Sequence, residues 1–260
     1  PFDGATVYMQ KTNTAMREYI FSDAEGAYVS TNITTLSPHL IKSPFQQSII
    51  KGALDKPESF VFLVNSDGTI AVFYSMRADK KAGWVLWETQ GKYHSICAIG
   101  ERLFCIVHRD NGSGSQKFYL EEFQTSMPMD YCDLYTKGSN DNGIFTVSSD
   151  FANGAVVKVV SGANYVGEFT VANNKVDVTA VDATLTSAYI GYSFTPLFRS
   201  LPIDGEVAGG VLTGKPRRIT SVILDLEETL SVSVAGTDLV IRNVNDLSLI
   251  HISEPTRRTI

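Results

Sequence analysis

The sequence predicts an all-β protein: a partial β-propeller of antiparallel hairpin blades with an inserted small β-barrel or β-sandwich domain. Three observations predict it. Between residues 59 and 123, six short runs rich in β-branched and aromatic residues follow one another, each bounded by Gly, Asp, Asn or Ser. That is how antiparallel strands joined by tight turns read. An apolar run, a polar turn and a second apolar run begin near Val7, Phe60 and Leu103, about 40–50 residues apart, a period that suits strand-only propeller blades. An ordinary multi-hairpin sheet is the alternative. From residue 144 to 192 the chain turns rich in Val, Thr, Ala and Gly and nearly free of Lys and Arg, with short apolar runs at roughly 10-residue spacing, as in a small barrel or sandwich.

Taken in order, residues 5–10 and 16–21 read as a strand pair across 11–15, and 24–26 as a turn. Residues 34–41 are the only helical candidate, with Ser37 before Pro38 in the usual order of cap and first turn. Residues 46–52 read as a strand. The six runs then span 59–65, 69–77, 83–89, 92–99, 102–109 and 116–123. Asp67-Gly68 offers the positive-φ residues of a two-residue hairpin loop. Residues 110–115 hold no side chain suited to packing and read as an exposed tip. The polar stretch 124–130, with Pro128, reads as a boundary. Beyond it, strands are predicted at 143–147, 155–160, 165–171, 175–178 and 188–192. After a four-glycine loop at 201–214 come strands at 218–226, 229–235 and 236–243. The predicted division is 1–123 for the propeller-like blades, 124–212 for the small β-domain and 213–246 for strands returning to the propeller-like part.

Both ends carry an expectation of their own. The sequence opens on Pro1 with no signal-like stretch after it, which reads as a start inside a longer reading frame. Residues 247–257 (LSLIHISEPTR) look like the translation of a sequencing-adapter oligonucleotide, with 258–260 as read-through. On that reading 247–260 is an artefact, Asp246 is the last native residue and His251 belongs to no site. The tail's Glu254, Arg257 and Arg258 sum to +1, so the rest is one unit more acidic than the −6 of the whole chain.

The composition limits the function. At 260 residues and 43% hydrophobic, the chain can fill one large or two medium cores. The densest basic cluster, Lys215, Arg217 and Arg218 around Pro216, is too short for a duplex-binding face. No apolar run approaches the roughly 18 residues of a membrane span. Cys97, Cys105 and Cys132 lack metal-ligand spacing and read as buried, reduced thiols.

The motifs that suggest chemistry mostly fail on inspection. Residues 209–215 match GxxxxGK, but Pro216 stands where Ser or Thr would hold magnesium, and proline has no N–H for phosphate. Ser66-Asp67-Gly68-Thr69 lacks the spacing and Trp of a sialidase-type Asp box and reads as a hairpin turn. Glu121 and Glu122 are adjacent on one strand and point to opposite faces, so they do not share a cleft. His39, His94 and His108 read as isolated. Trp84 and Trp87, three apart on a strand, face opposite sides: one packs between sheets, and the other serves a subunit or domain contact or a ligand platform. No catalytic residue, metal ligand or cofactor site is expected.

The order of motifs resembles the tail nozzle (tail hub, or tail tubular) proteins of short-tailed bacteriophages across nearly all of residues 1–243. The residues that carry the resemblance begin with 7–10 and Met16-Arg17-Glu18-Tyr19, then the short Leu36–Leu40 turn. Ser66 to Thr69, Arg77, Gly83-Trp84, Gly91, Ser95-Ile96, Arg109 and Leu120-Glu121 follow in the family's order. Asp133, Ile190-Gly191-Tyr192, Leu201-Pro202 and the stretch from Gly214-Lys215 to Arg218-Ile219 complete it. The segment after Asp133 departs by lacking the family's Gly-Leu-x-His-Leu run. The resemblance implies a non-enzymatic structural subunit of the virion tail, made in the bacterial cytoplasm. It implies a hexameric ring of copies, tail adaptor proteins as neighbours and genomic DNA passing through the channel during ejection. An acidic chain suits a conduit that must not hold phosphates. The competing readings are a glycan-binding module of a phage tail, favoured by a clustered exposed aromatic patch, and a glycan hydrolase on the same scaffold.

Overall fold

The computed structural model describes residues 2, 4–51, 58–110, 116–124, 129–138, 141–162, 164–199, 206–207, 210–211, 222–224 and 232–239. The chain divides into two units, Pro1–Pro196 and Leu197–Ile260. The described residues are nearly all β-strand and turn, in several antiparallel sheets.

The first unit begins with three antiparallel sheets in chain order. The first joins β1 (Thr6–Met9), β2 (Met16–Ser22) and β3 (Ala27–Asn32). The second joins β4 (Gln46–Ile50), β5 (Ser59–Val64), β6 (Ile70–Met76) and β7 (Lys81–Trp87). The third joins β8 (Lys92–Ile99), β9 (Arg102–Asp110) and β10 (Gln116–Phe123). Each is a meander in which every strand pairs with its neighbours in sequence.

The second sheet lies between the other two, and its sequence says why. Strands β5 and β6 are almost unbroken apolar runs, the pattern of strands covered on both faces. Val61, Leu63, Ala71 and Phe73 point one way and pack with Phe2, Val7, Met16 and Ile41. Phe62, Val64, Ile70 and Val72 point the other way and pack with Ile96, Leu103, Cys105 and Val107. The two tryptophans follow the same alternation. Trp84 joins the first interface, 4.9 Å from Phe73, with Nε1 donating to the Ile33 carbonyl at 2.9 Å. Trp87 joins the second and stacks on Phe123 at 4.3 Å. Neither is a free ligand platform.

The rest of the unit is a smaller β-domain. It comprises β11 (Tyr131–Thr136), β12 (Ile144–Thr146), β13 (Val156–Ser161), β14 (Asn164–Thr170), β15 (Lys175–Asp177), the four-residue helix α1 (Thr179–Asp182) and β16 (Ser187–Tyr192). A sheet of order β11-β16-β13-β14 and a ribbon β12-β15 share one core, with Phe145, Phe151, Val157, Val159, Val176 and Ile190 at its centre. Among its described residues the second unit, by itself, shows two short hairpins, β17 (Glu206–Val207) with β18 (Gly210–Val211) and β19 (Val232–Val234) with β20 (Thr237–Leu239). The turn of the latter has positive φ at both Ala235 and Gly236, as a two-residue type I′ loop requires.

Several expectations are corrected. The Asp67 hairpin is not a two-residue loop: only Gly68 has positive φ, and its N–H donates to Asn65 O at 3.0 Å, a type I turn closed by a left-handed glycine. Asp67 instead accepts from the Thr69 N–H and hydroxyl. The helix expected over 34–41 is one 3-10 turn, Pro38–Leu40, and Ser37 makes no side-chain cap bond. It is not the only helical piece, because α1 and a 3-10 turn at Arg77–Asp79 also form. Strands β3 and β11 were not predicted, and the expected loop at 201–214 contains the short β17–β18 hairpin. The repeat marks one strand in each sheet, but the first strand of the first sheet and the second strand of the others. Most of the expectations for 111–115, 201–221, 225–231 and 240–260 lie outside the described residues. No helix among the described residues is long and apolar enough to cross a membrane.

Candidate functional site

The densest polar cluster of the described chain sits where the third sheet meets the β-domain, around Arg109. This arginine ends the inward face of β9, and it is 7% exposed. Its Nε and Nη2 donate to the two carboxylate oxygens of Glu121 at 2.6 and 2.7 Å, the bidentate geometry a guanidinium favours. Nη1 donates to the Gln90 carbonyl at 2.9 Å and reaches Asp130 at 3.4 Å. The guanidinium lies 4.9 Å from the centre of the Tyr131 ring, a cation–π contact.

The backbone around the cluster is built to admit it. Gly91 has φ +145 and packs so closely that a Cβ there would lie 2.3 Å from the His108 carbonyl. That turn presents Gln90 to Arg109. Asp130 in turn accepts from the Gln90 N–H at 2.8 Å and the Thr89 hydroxyl at 3.0 Å, and its own N–H donates to Tyr192 O. One residue, Asp130, therefore ties the β7–β8 loop through its carboxylate and the end of β16 through its backbone N–H to the start of β11. A second tie runs from Lys117 Nζ on β10 to Asp150 of the β-domain at 2.8 Å. A small cavity of about 290 Å³ lies among Gln90, Gly91, Arg109, Tyr119, Tyr131, Asp150 and Tyr192.

The electrostatics describe a joint with its charges matched. Burial works against the Arg109 charge, but the hydrogen bonds and charge of Glu121, with Asp130, outweigh it and raise its pKa. Burial raises the Tyr131 and Tyr119 phenols, and the Asp150 carboxylate adds to the rise. Burial opposes ionisation of Asp150, yet the hydrogen bonds and charge of Lys117 and the Ser148 hydroxyl bring it down to about 2. At neutral pH the cavity thus presents protonated phenols and paired ions, with no unpaired base among them.

The residues singled out from sequence fall as follows. Glu121 and Glu122 do face opposite ways: Glu121 meets Arg109, and Glu122 meets Arg102 on the outer face at 2.6 and 2.5 Å. His39 is exposed. His94 and His108 are not isolated from each other, since their rings flank Phe118 at 5.3 and 5.0 Å. Cys97 is exposed, contrary to expectation, because it lies on the outer face opposite Phe104. Cys105 is buried, and burial with the nearby Glu121 pushes its thiol up to about 12. Cys132 is half-buried. Gly210 and Val211 of the GxxxxGK match lie in strand β18, and the rest of the match lies outside the described residues. Among the described residues no three His, Cys, Asp or Glu side chains gather to hold a metal.

Two pairings join residues that sequence alone kept separate. Glu18 of the first sheet is ion-paired with Arg77, 59 positions on. Arg109 and Asp130, flanking the polar boundary, form the joint just described. Complementary charge was legible in each residue, but nothing local marked the partner. No protein-family model matches the chain, and no curated protein matches it.

Proposed function

We propose that this protein is a non-enzymatic structural subunit of a short bacteriophage tail, a nozzle or hub ring around the DNA ejection channel. The observation that carries the reading is the sequence of three meander sheets stacked face to face, followed by a small β-domain pinned to the third. In this reading the sheets are blades of a propeller, and the copies assemble as a ring beside adaptor proteins in the virion. The joint at Arg109 supports it, since a particle under ejection pressure requires rigid coupling between sheets and inserted domain. So does an acidic chain of net charge −6, which repels rather than retains DNA.

The glycan-binding reading has one observation in its favour. Tyr19, Phe21 and Tyr28 form an exposed aromatic cluster on the first sheet. Tyr19 and Tyr28 stack on each other at 5.1 Å and 13°, however, and Phe21 meets Tyr28 edge-on at 5.3 Å. Ring faces that a sugar would use are partly occupied by one another, so the cluster favours protein contact.

The test is location. Antibody raised against the protein should label the distal tail of purified particles, and depletion should leave DNA-filled heads that fail to eject. Absence of the protein from purified particles would overturn the reading.

A further inference from the structure

The cavity beside Arg109 gathers polar groups that the joint itself does not use. Its lining takes in Tyr119, Tyr131 and Tyr192, with Asp150, Arg109 and the exposed Gln90. Both charges in that lining are already matched. Arg109 donates to Glu121, to the Gln90 carbonyl and to Asp130. Asp150 accepts from Lys117 on one carboxylate oxygen and from Ser148 on the other. The Tyr119 hydroxyl is the exception. It is buried and has no hydrogen-bond partner among the described residues, although the Asp150 charge acts on it. A buried phenol in that state loses the hydrogen bond that water gives it in the unfolded chain, a cost that phenylalanine would avoid.

We propose that this cavity binds a small uncharged polyhydroxyl molecule, a single neutral sugar ring or a polyol of that size. Volume sets the size: about 290 Å³ stands at the small end of ligand sites. Charge sets the class. An anion would compete with Glu121 and Asp130 for Arg109, and a cation with Lys117 for Asp150, so a charged ligand enters without an unmatched counter-ion and still gives up its hydration. Hydrogen bonding sets the functional group. A phenol beside a carboxylate asks for a group that accepts from the first and donates to the second, and an aliphatic hydroxyl does both. Neighbouring hydroxyls on one ring serve the two at once, while the aromatic carbons of the three tyrosines supply the apolar wall.

The position gives binding a consequence. Arg109 and Tyr119 belong to the third sheet, and Tyr131, Asp150 and Tyr192 to the β-domain. An occupant therefore touches both sides of the joint and stabilises the folded state by mass action. This goes beyond the structural role proposed above and stands or falls separately from it.

The full chain is titrated with glucose, galactose, mannose, N-acetylglucosamine and glycerol from about 0.1 to about 50 mM, followed by calorimetry and ligand-observed NMR. The acid and amine counterparts of the same rings, glucuronate and glucosamine among them, are the charged probes. At least one neutral compound should bind with a dissociation constant of about 1–10 mM and raise the melting temperature. Its charged counterparts should bind at least about tenfold more weakly. Tyr119→Phe keeps the ring and removes only the hydroxyl, and circular dichroism checks its fold. It should weaken binding about fivefold while leaving the melting temperature of the unliganded protein unchanged or slightly higher.

Other outcomes overturn the proposal. No binding of any neutral compound to folded wild type at 50 mM would mean that the cavity holds water alone, at about 30 Å³ per molecule. Binding unchanged in Tyr119→Phe would place the site elsewhere. Equal or tighter binding of a charged counterpart would refute the charge argument. A clear loss of stability in Tyr119→Phe would show that the hydroxyl is bonded within the chain. Where binding is found, an oligosaccharide of the same sugar that binds as well as the single ring identifies a chain end as the ligand, and one that fails to bind identifies the free sugar.

Discussion

Asn65 is uncharged and fully buried, and three hydrogen bonds explain its place. Its side-chain oxygen accepts from the Lys42 N–H at 3.0 Å, and its amide donates to Leu40 O and to the Thr69 hydroxyl, both at 3.0 Å. Removing it would leave the Leu40 and Lys42 backbone groups without that partner in a partly buried setting. Asn65→Ala should cost roughly 3 kcal/mol, about 6–12 °C of melting temperature in a unit of this size. A loss within error would show that water replaces the amide. Asp150 makes a pH prediction. Its pKa is lowered to about 2 against an ordinary value of 3.8, so the folded state binds the proton more weakly than the unfolded chain. Its contribution is full above the ordinary value and is lost as pH falls from about 4 through about 2. Asp150→Asn should therefore lower stability at pH 7 and flatten the acid limb of stability between those values. An unchanged acid limb would refute the assignment.

At the scale of elements, alternation decides most of the outcome. Trp84 and Trp87 share β7 and yet enter two different cores, because side chains three apart on a strand face opposite sides. Connections are decided by single residues. Gly91 combines φ +145 with the 2.3 Å approach to the His108 carbonyl, a backbone atom that cannot swing aside. Gly91→Ala should cost about 2–4 kcal/mol, read as a lower urea midpoint at an unchanged slope. Gly83, where a Cβ meets nothing within 4 Å, is the control and should tolerate alanine at a small cost. Equal losses at the two positions would contradict the close-packing account.

For the whole molecule, the question is how separate cores behave as one body. The stacked sheets have two cores and the β-domain a third. The Arg109 cluster is the main polar tie between the last sheet and that domain. Replacing Arg109 with Met removes the cation and leaves Glu121 and Asp130 largely buried, which should cost about 3–5 kcal/mol. Because the tie is lost as well, calorimetry should show the β-domain melting separately from the sheets. A second substitution, Glu121→Gln, should recover part of the loss. A single, merely lowered transition in Arg109→Met would mean that apolar contacts alone couple the two parts.

The sequence by itself determined the all-β class and most strands of the first unit, since both rest on local chemistry. The runs β5 and β6 declared burial on two faces by being apolar at nearly every position, and Glu121-Glu122 declared opposite faces by adjacency. Strand β3 escaped because five of its six residues are exposed and only Val29 is half-buried. It is a strand because β2 pairs with it, which no local pattern records. The Asp67 loop escaped because a type I turn with a left-handed glycine and a two-residue loop use the same residues. Tertiary structure alone decided that Arg109 meets Asp130, that Glu18 meets Arg77, that two histidines flank Phe118 and that Cys97 is exposed. Each depends on which sheet faces which, and strand alternation specifies a face without naming what will cover it.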